Sequence, residues 1–171
     1  RKRPDKKRLN DVFDYEHLID KNKKNSYWLA QLVGRNTCVY CNRTYTLTVI
    51  KKVDTKNTEY IARPTFDHWY SHAQYPLMSM SLCNLIPSCS VCNSSVKTST
   101  SFDLATHIHP YVHEPEHPKL KFEASLKTST TKDWTVEIKT DPGSKEEKTV
   151  EDLKLNEVYA YHGELEVKDL M

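Results

Sequence analysis

Apolar residues recur along this chain with two different periods. Between residues 11 and 33 the period is helical: Val12, Tyr15 and Ile19 share one stripe. After a polar break at 21–25, Trp28, Leu29, Leu32 and Val33 form a second apolar face, with Ser26 as its expected cap and Gly34 as its stop. These aromatic residues read as core. From residue 44 the composition favours extended chain: Thr, Val and Ile run up to Ile50, 51–58 is polar and turn-like, and 59–66 returns, so 44–66 reads as a hairpin. Pro64 predicts that the return strand is broken or lies at an edge. The run that follows Asn93, SSVKTSTSFDLA, has few breakers and can begin as a helix. Residues 107–118 combine histidine with proline at a density that predicts an irregular surface loop rather than a second metal site. Leu120, Phe122, Ala124 and Leu126 alternate, as do Trp134, Val136 and Ile138, which predicts another hairpin with one wet face. Residues 141–144 (DPGS) signal a turn, and from Val150 the pattern becomes helical through Leu155, Val158, Tyr159 and Leu165.

Composition narrows the class. The chain has 171 residues, 37% hydrophobic and 28% charged, enough for one domain with a modest core or a small domain plus flanking helices. With 3 glycines, a flexible linker is not expected. There is neither an apolar run of membrane-spanning length nor a signal peptide, so no membrane association and a cytoplasmic location are expected. The net charge of +2 does not argue for nucleic acid by itself. Its placement says more: residues 1–8 (RKRPDKKR) read as a solvated tail or, alternatively, as an arm lying on phosphates. A start at Arg1 without methionine and an end at Met171 without a clear cap read as a piece of a longer protein. The expected organisation is one compact unit built of a basic arm with helices over 1–34, a zinc-stapled core over 35–118, and a hairpin with the start of a C-terminal helix over 119–171.

The cysteines supply the first chemistry. Four of the 5 fall in two Cys-x-x-Cys pairs, Cys38 with Cys41 and Cys89 with Cys92. In a non-secreted chain such pairs favour metal over disulfides, and two tight turns offering four thiolates suit structural Zn²⁺. A redox dithiol would need only one such pair, at a helix start after a strand. Cys83 is left over and reads as a buried packing thiol. Between and beside the pairs lie Asp67-His68, Asn84-Leu85 and Asn93. Hydrolysis of a phosphodiester needs an activated water and relief of charge on the phosphate. A general base alone supplies about 10²–10⁴-fold, far less than so slow a reaction requires, so the base needs a metal beside it. Mg²⁺ prefers oxygen ligands, which Asp67 and Asn93 offer, and His68 can attend to the water. Taken singly, Asn84 could be a turn residue and Asn93 a helix cap. Their order around a zinc pair favours the chemical reading.

The order Asp67-His68, Asn84-Leu85, Cys89-x-x-Cys92-Asn93 and Lys97, with Cys38-x-x-Cys41 upstream, resembles the HNH endonuclease family. More narrowly, CVYCNRTY followed by FDHWY, YPL and NLIPSCSVCNSSVK resembles bacterial HNH proteins that accompany mobile-element or phage-defence genes. The resemblance is strongest over residues 37–97 and weaker to 161. It implies an α+β fold: a ββα-metal finger stapled by a four-cysteine zinc site, with N-terminal helices, an additional β-hairpin and a C-terminal helix. Strand one would bear Asp67 and His68, strand two would span 84–87, and a helix would begin near Asn93. It further implies that His68 is the general base, that Asp67 and Asn93 bind a catalytic metal, and that Asn84 braces the loop and fixes His68. Cys38, Cys41, Cys89 and Cys92 match the zinc-bearing members. Asparagine rather than histidine at the third motif position favours Mg²⁺ or Mn²⁺ over softer metals. Trp69-Tyr70-Ser71-His72 departs from the proline and lysine often found there, and His72 reads as a bystander. The implied function is a DNA endonuclease, with double-stranded DNA favoured over RNA, leaving 5′-phosphate and 3′-hydroxyl ends. It would be the effector of an anti-phage defence system beside a partner ATPase or sensor. The alternatives are a zinc-stapled nucleic-acid-binding or adaptor module without catalysis, and an RNA-cleaving nuclease using the same residues.

Overall fold

The computed structural model describes residues 9, 11–112, 120–126 and 134–160; the basic run 1–8 and Leu165 lie outside them. The fold is α+β, and the chain divides into two compact units, Arg1–Phe102 and Asp103–Met171, where the sequence reading divides it at 34/35 and 118/119.

In the first unit, a wide turn over Glu16–Asp20 leads into helix α1, Lys23–Val33. Asn22 caps it, its Oδ1 accepting from the Asn25 backbone N–H at 3.1 Å. The cap therefore lies four residues before Ser26, which is buried inside the helix and donates to the Lys23 carbonyl. Gly34, at φ +63°, ends the helix in the left-handed conformation that glycine adopts without steric cost. The buried face is Tyr27, Leu29 and Ala30; Leu29 and Ala30 pack on Phe66 and Leu85 with Tyr15, Ile19 and Val33 around them. Trp28 and Leu32, expected in the core, are 57% and 58% exposed. Val12 is exposed as well. Two overlapping stripes compete for the core on this helix, and the one bearing Leu29 and Ala30 meets the strand residues.

Strands β1 (Val49–Lys52) and β2 (Thr58–Ala62) form the expected hairpin, its turn tied by Asp54 Oδ1 accepting from the backbone of Lys56 and Asn57. At Arg63-Pro64 the ladder stops and a third strand, β3 (Thr65–His68), begins. The break that Pro64 predicts is present: the return is two strands, separated where proline removes a donor. β3 pairs antiparallel with β4 (Leu85–Ser88) in the register Phe66↔Pro87, Asp67↔Ile86 and His68↔Leu85. β4 is buried along its length and passes directly into a π-helix, Val91–Lys97.

In the second unit, β5 (Lys121–Leu126) and β6 (Trp134–Lys139) pair antiparallel with Phe122 opposite Ile138. Ile138 is buried and Phe122 is exposed, so a single strand supplies the dry face found among the described residues. Helix α2 (Lys145–Asp152) begins five residues before the predicted Val150 start, because Ser144 Oγ caps the Glu147 N–H while Glu147 reaches back to the Gly143 N–H. A left-handed Lys154 interrupts it and helical structure resumes over 155–160. His107 and His109, read as surface residues, are buried; His107 Nε2 pairs with Asp152 at 2.9 Å. No helix among the described residues is long and apolar enough to cross a membrane.

Candidate functional site

Two turns build the sulfur cluster. In the first, the Asn42 N–H bonds the Cys38 carbonyl at 2.7 Å and Asn42 takes φ +51°, a conformation asparagine tolerates better than most residues. In the second, Cys89 follows β4 and Cys92 opens the π-helix, with the Asn93 N–H on the Cys89 carbonyl at 3.0 Å. The Val39 N–H on the Pro87 carbonyl ties one turn to the other. All four sulfurs are buried and lie within 4.8 Å of one another. Tetrahedral Zn–S bonds of about 2.3 Å place sulfurs roughly 3.8 Å apart, so the donor set, its spacing and its burial fit a zinc ion. The thiols share protons: hydrogen bonding with Cys38 pulls the Cys41 pKa down and that of Cys89 down to about 6, while Cys38, bonded first to Cys41, and Cys92, bonded first to Cys38, are pushed up. A cation at the centre would replace those protons. Cys83 is exposed, contrary to the packing role expected of it. It sits in a short turn over Leu82–Asn84 whose inward residue is Asn84.

Beside the cluster lies a cleft of about 270 Å³ lined in part by Asp67, His68, Ser71, His72, Asn93 and Lys97. Asp67, on β3, is buried with both oxygens engaged. Oδ2 accepts from the Tyr40 hydroxyl at 2.5 Å and Oδ1 from Lys97 Nζ at 3.1 Å. Burial, and then the Asp67 charge, hold the Tyr40 phenol well above its ordinary pKa, so it remains a donor. His68 ends β3, and its Nε2 stands 3.0 Å from the Ser79 carbonyl. A carbonyl only accepts, so Nε2 bears a proton, and in the neutral ring Nδ1 holds the lone pair. The Tyr15 ring meets the imidazole in a T-shaped contact with centroids 4.5 Å apart, and the His72 ring lies 4.8 Å away, centroid to centroid. Burial lowers the His68 pKa below the ordinary histidine value, the Ser79 carbonyl opposes this, and His72 adds to it.

Asn84 is buried outside the cleft lining. Its Oδ1 accepts from the Tyr70 N–H at 2.7 Å, and its Nδ2 donates to the carbonyls of Tyr70 and Met78 at 3.0 and 3.1 Å. These bonds fasten Tyr70 and Met78, and Met78 precedes Ser79, so Asn84 bears on His68 through the segment that carries the Ser79 carbonyl. Asn93 is half-buried in the first turn of the π-helix. The structure therefore brings Asp67, His68 and Asn93 around one cleft, with Asn84 behind it and the cysteine cage alongside. Sequence reasoning missed Tyr40 and gave Lys97 no role. Tyr40 stands between the paired cysteines, a place that fixes its direction once the turn closes. His72, read as a bystander, lines the cleft against His68.

No protein-family model, curated protein or solved structure matches the chain.

Proposed function

We propose that this protein is a metal-dependent endonuclease of the HNH type that hydrolyses DNA phosphodiester bonds, with β3, β4 and the π-helix as its ββα finger and zinc in the cysteine cage. The observation that supports this best is the His68 ring: the Ser79 carbonyl holds its Nε2, and its unprotonated Nδ1 belongs to a ring lining the same cleft as Asp67 and Asn93. A lowered pKa keeps that ring neutral at pH 7, as a general base requires. Asp67 and Asn93 offer the oxygens that would hold Mg²⁺ or Mn²⁺. Each carboxylate oxygen has two acceptor sites, so the bonds to Tyr40 and Lys97 leave capacity on Asp67. When bound, such an ion supplies positive charge at the phosphate and at the departing oxygen. His68 Nδ1 takes a proton from water as its oxygen attacks phosphorus. The bond to the 3′ oxygen breaks, and that oxygen gains a proton from solvent, leaving 5′-phosphate and 3′-hydroxyl ends. The resemblance to HNH proteins that accompany phage-defence genes adds the role of effector in an anti-phage system, triggered by a partner ATPase or sensor.

The occupied oxygens of Asp67 favour a second reading, a zinc-stapled nucleic-acid-binding module without catalysis. A substrate panel separates the two. Zinc-loaded protein with Mg²⁺ or Mn²⁺ is expected to nick supercoiled plasmid in preference to cutting RNA. His68→Ala should still bind DNA while losing about 10²–10⁴-fold in rate. Equal activity in both proteins, or none in either once the triggering partner is present, would overturn the nuclease reading, and preferred RNA cleavage would change its substrate.

A further inference from the structure

Lys97 is a conspicuous residue to bury. Its side chain is 3% exposed, and its ammonium donates to Asp67 Oδ1 at 3.1 Å and to the His68 carbonyl at 2.9 Å. The Phe102 ring lies 4.9 Å from Nζ, so an aromatic face replaces water on one side. Lys97 stands on the same π-helix as Asn93, and both line the cleft. A buried carboxylate without a countercharge is costly, and the Tyr40 hydroxyl offers a hydrogen bond but no charge. Lys97 supplies the charge that the unloaded protein needs.

We propose that Lys97 is an internal counter-ion that occupies Asp67 in the metal-free protein and gives way when a divalent cation binds, so that it sets the affinity of the site. This rests on the reading in which Asp67 and Asn93 hold that cation. Two cations on one carboxylate repel each other strongly where water is scarce. A lysine ammonium has three rotatable donors on a flexible stem, so it can leave Oδ1 and keep its bond to the His68 carbonyl. Metal binding is then an exchange of one cation for another, and its affinity is reduced by the strength of the contact given up. Lys97 is thus a positioning residue that acts through Asp67.

The test is Mn²⁺ binding to the zinc-loaded full chain at pH 8, followed by the electron paramagnetic resonance of free Mn²⁺. Lys97→Met is expected to bind Mn²⁺ roughly tenfold more tightly than wild type, and Mn²⁺ should raise its Tm by more than it raises that of wild type. Asp67→Asn should bind at least about tenfold more weakly. Unchanged or weaker binding in Lys97→Met, with Asp67→Asn weakened, would overturn the role of Lys97 and leave the metal site standing. Unchanged binding in Asp67→Asn would overturn the metal site itself. Should Lys97→Met fail to fold, nuclear magnetic resonance of the wild-type lysine ammonium groups decides. The Lys97 signal, assigned through its contact with the Phe102 ring, should move on Mg²⁺ addition together with the Asn93 side-chain amide. A Lys97 signal that stays still while the Asn93 amide moves would overturn the proposal.

Discussion

Asp67 lies between a phenol and an ammonium, and most of what single substitutions should do near the cleft follows from that placement. Removing one partner of a buried ion pair strands the other. Lys97→Ala is therefore expected to lower the unfolding free energy of the metal-free, zinc-loaded protein by about 3–5 kcal/mol, measured by urea denaturation. Asn84→Ala removes three part-buried hydrogen bonds of a buried side chain and should cost about 2–4 kcal/mol in the same measurement, with activity falling because the segment before Ser79 loses its anchor. In the proposed reaction His68 works as the unprotonated ring. Its pKa is lowered, first by burial, so kcat/KM should hold steady down through the ordinary histidine range near ~6.5 and fall only below it. A profile flat well into acid would remove His68 as the base. Asp67, His68 and Asn93 can be picked out in the sequence by residue type and spacing, and they line one cleft. Tyr40 and Lys97 could not: their roles come from contacts to a residue 27 and 30 positions away, and nothing in the local pattern points there.

Among the elements, the structure departs from the sequence pattern where two local signals compete. Asn22 and Ser26 are both good caps, and the stripes through Trp28 and through Leu29 are both helical. The choice falls to tertiary contact with Phe66 and Leu85, which is invisible in a single helix. Asn22→Ala should accordingly lower the unfolding free energy by about 1 kcal/mol, whereas Ser26→Ala should act through packing at a buried position and leave the helix start in place. The β5–β6 hairpin is legible from alternation, the β1–β2 hairpin from its extended-chain composition, and the break at Pro64 from the missing donor. The early start of α2 was carried by the Ser144 and Glu147 pair, which sits outside the apolar pattern used to predict that helix.

For the whole molecule, the cysteine cage joins sequence positions half the first unit apart, and Tyr40 links that cage to Asp67. Metal binding to such a cage contributes about 10–16 kcal/mol in small zinc peptides, comparable with or larger than the entire stability of a typical domain. Cys89→Ser, or a strong chelator, should therefore unfold the Arg1–Phe102 unit, seen as loss of Trp69 fluorescence burial together with release of zinc. The most direct test of the central claim is anomalous scattering from crystals grown with zinc and soaked in Mn²⁺. The account predicts a zinc peak among Cys38, Cys41, Cys89 and Cys92 and a separate manganese peak between Asp67 and Asn93. A zinc peak with no manganese at Asp67, and the Lys97 ammonium still in place, would contradict it.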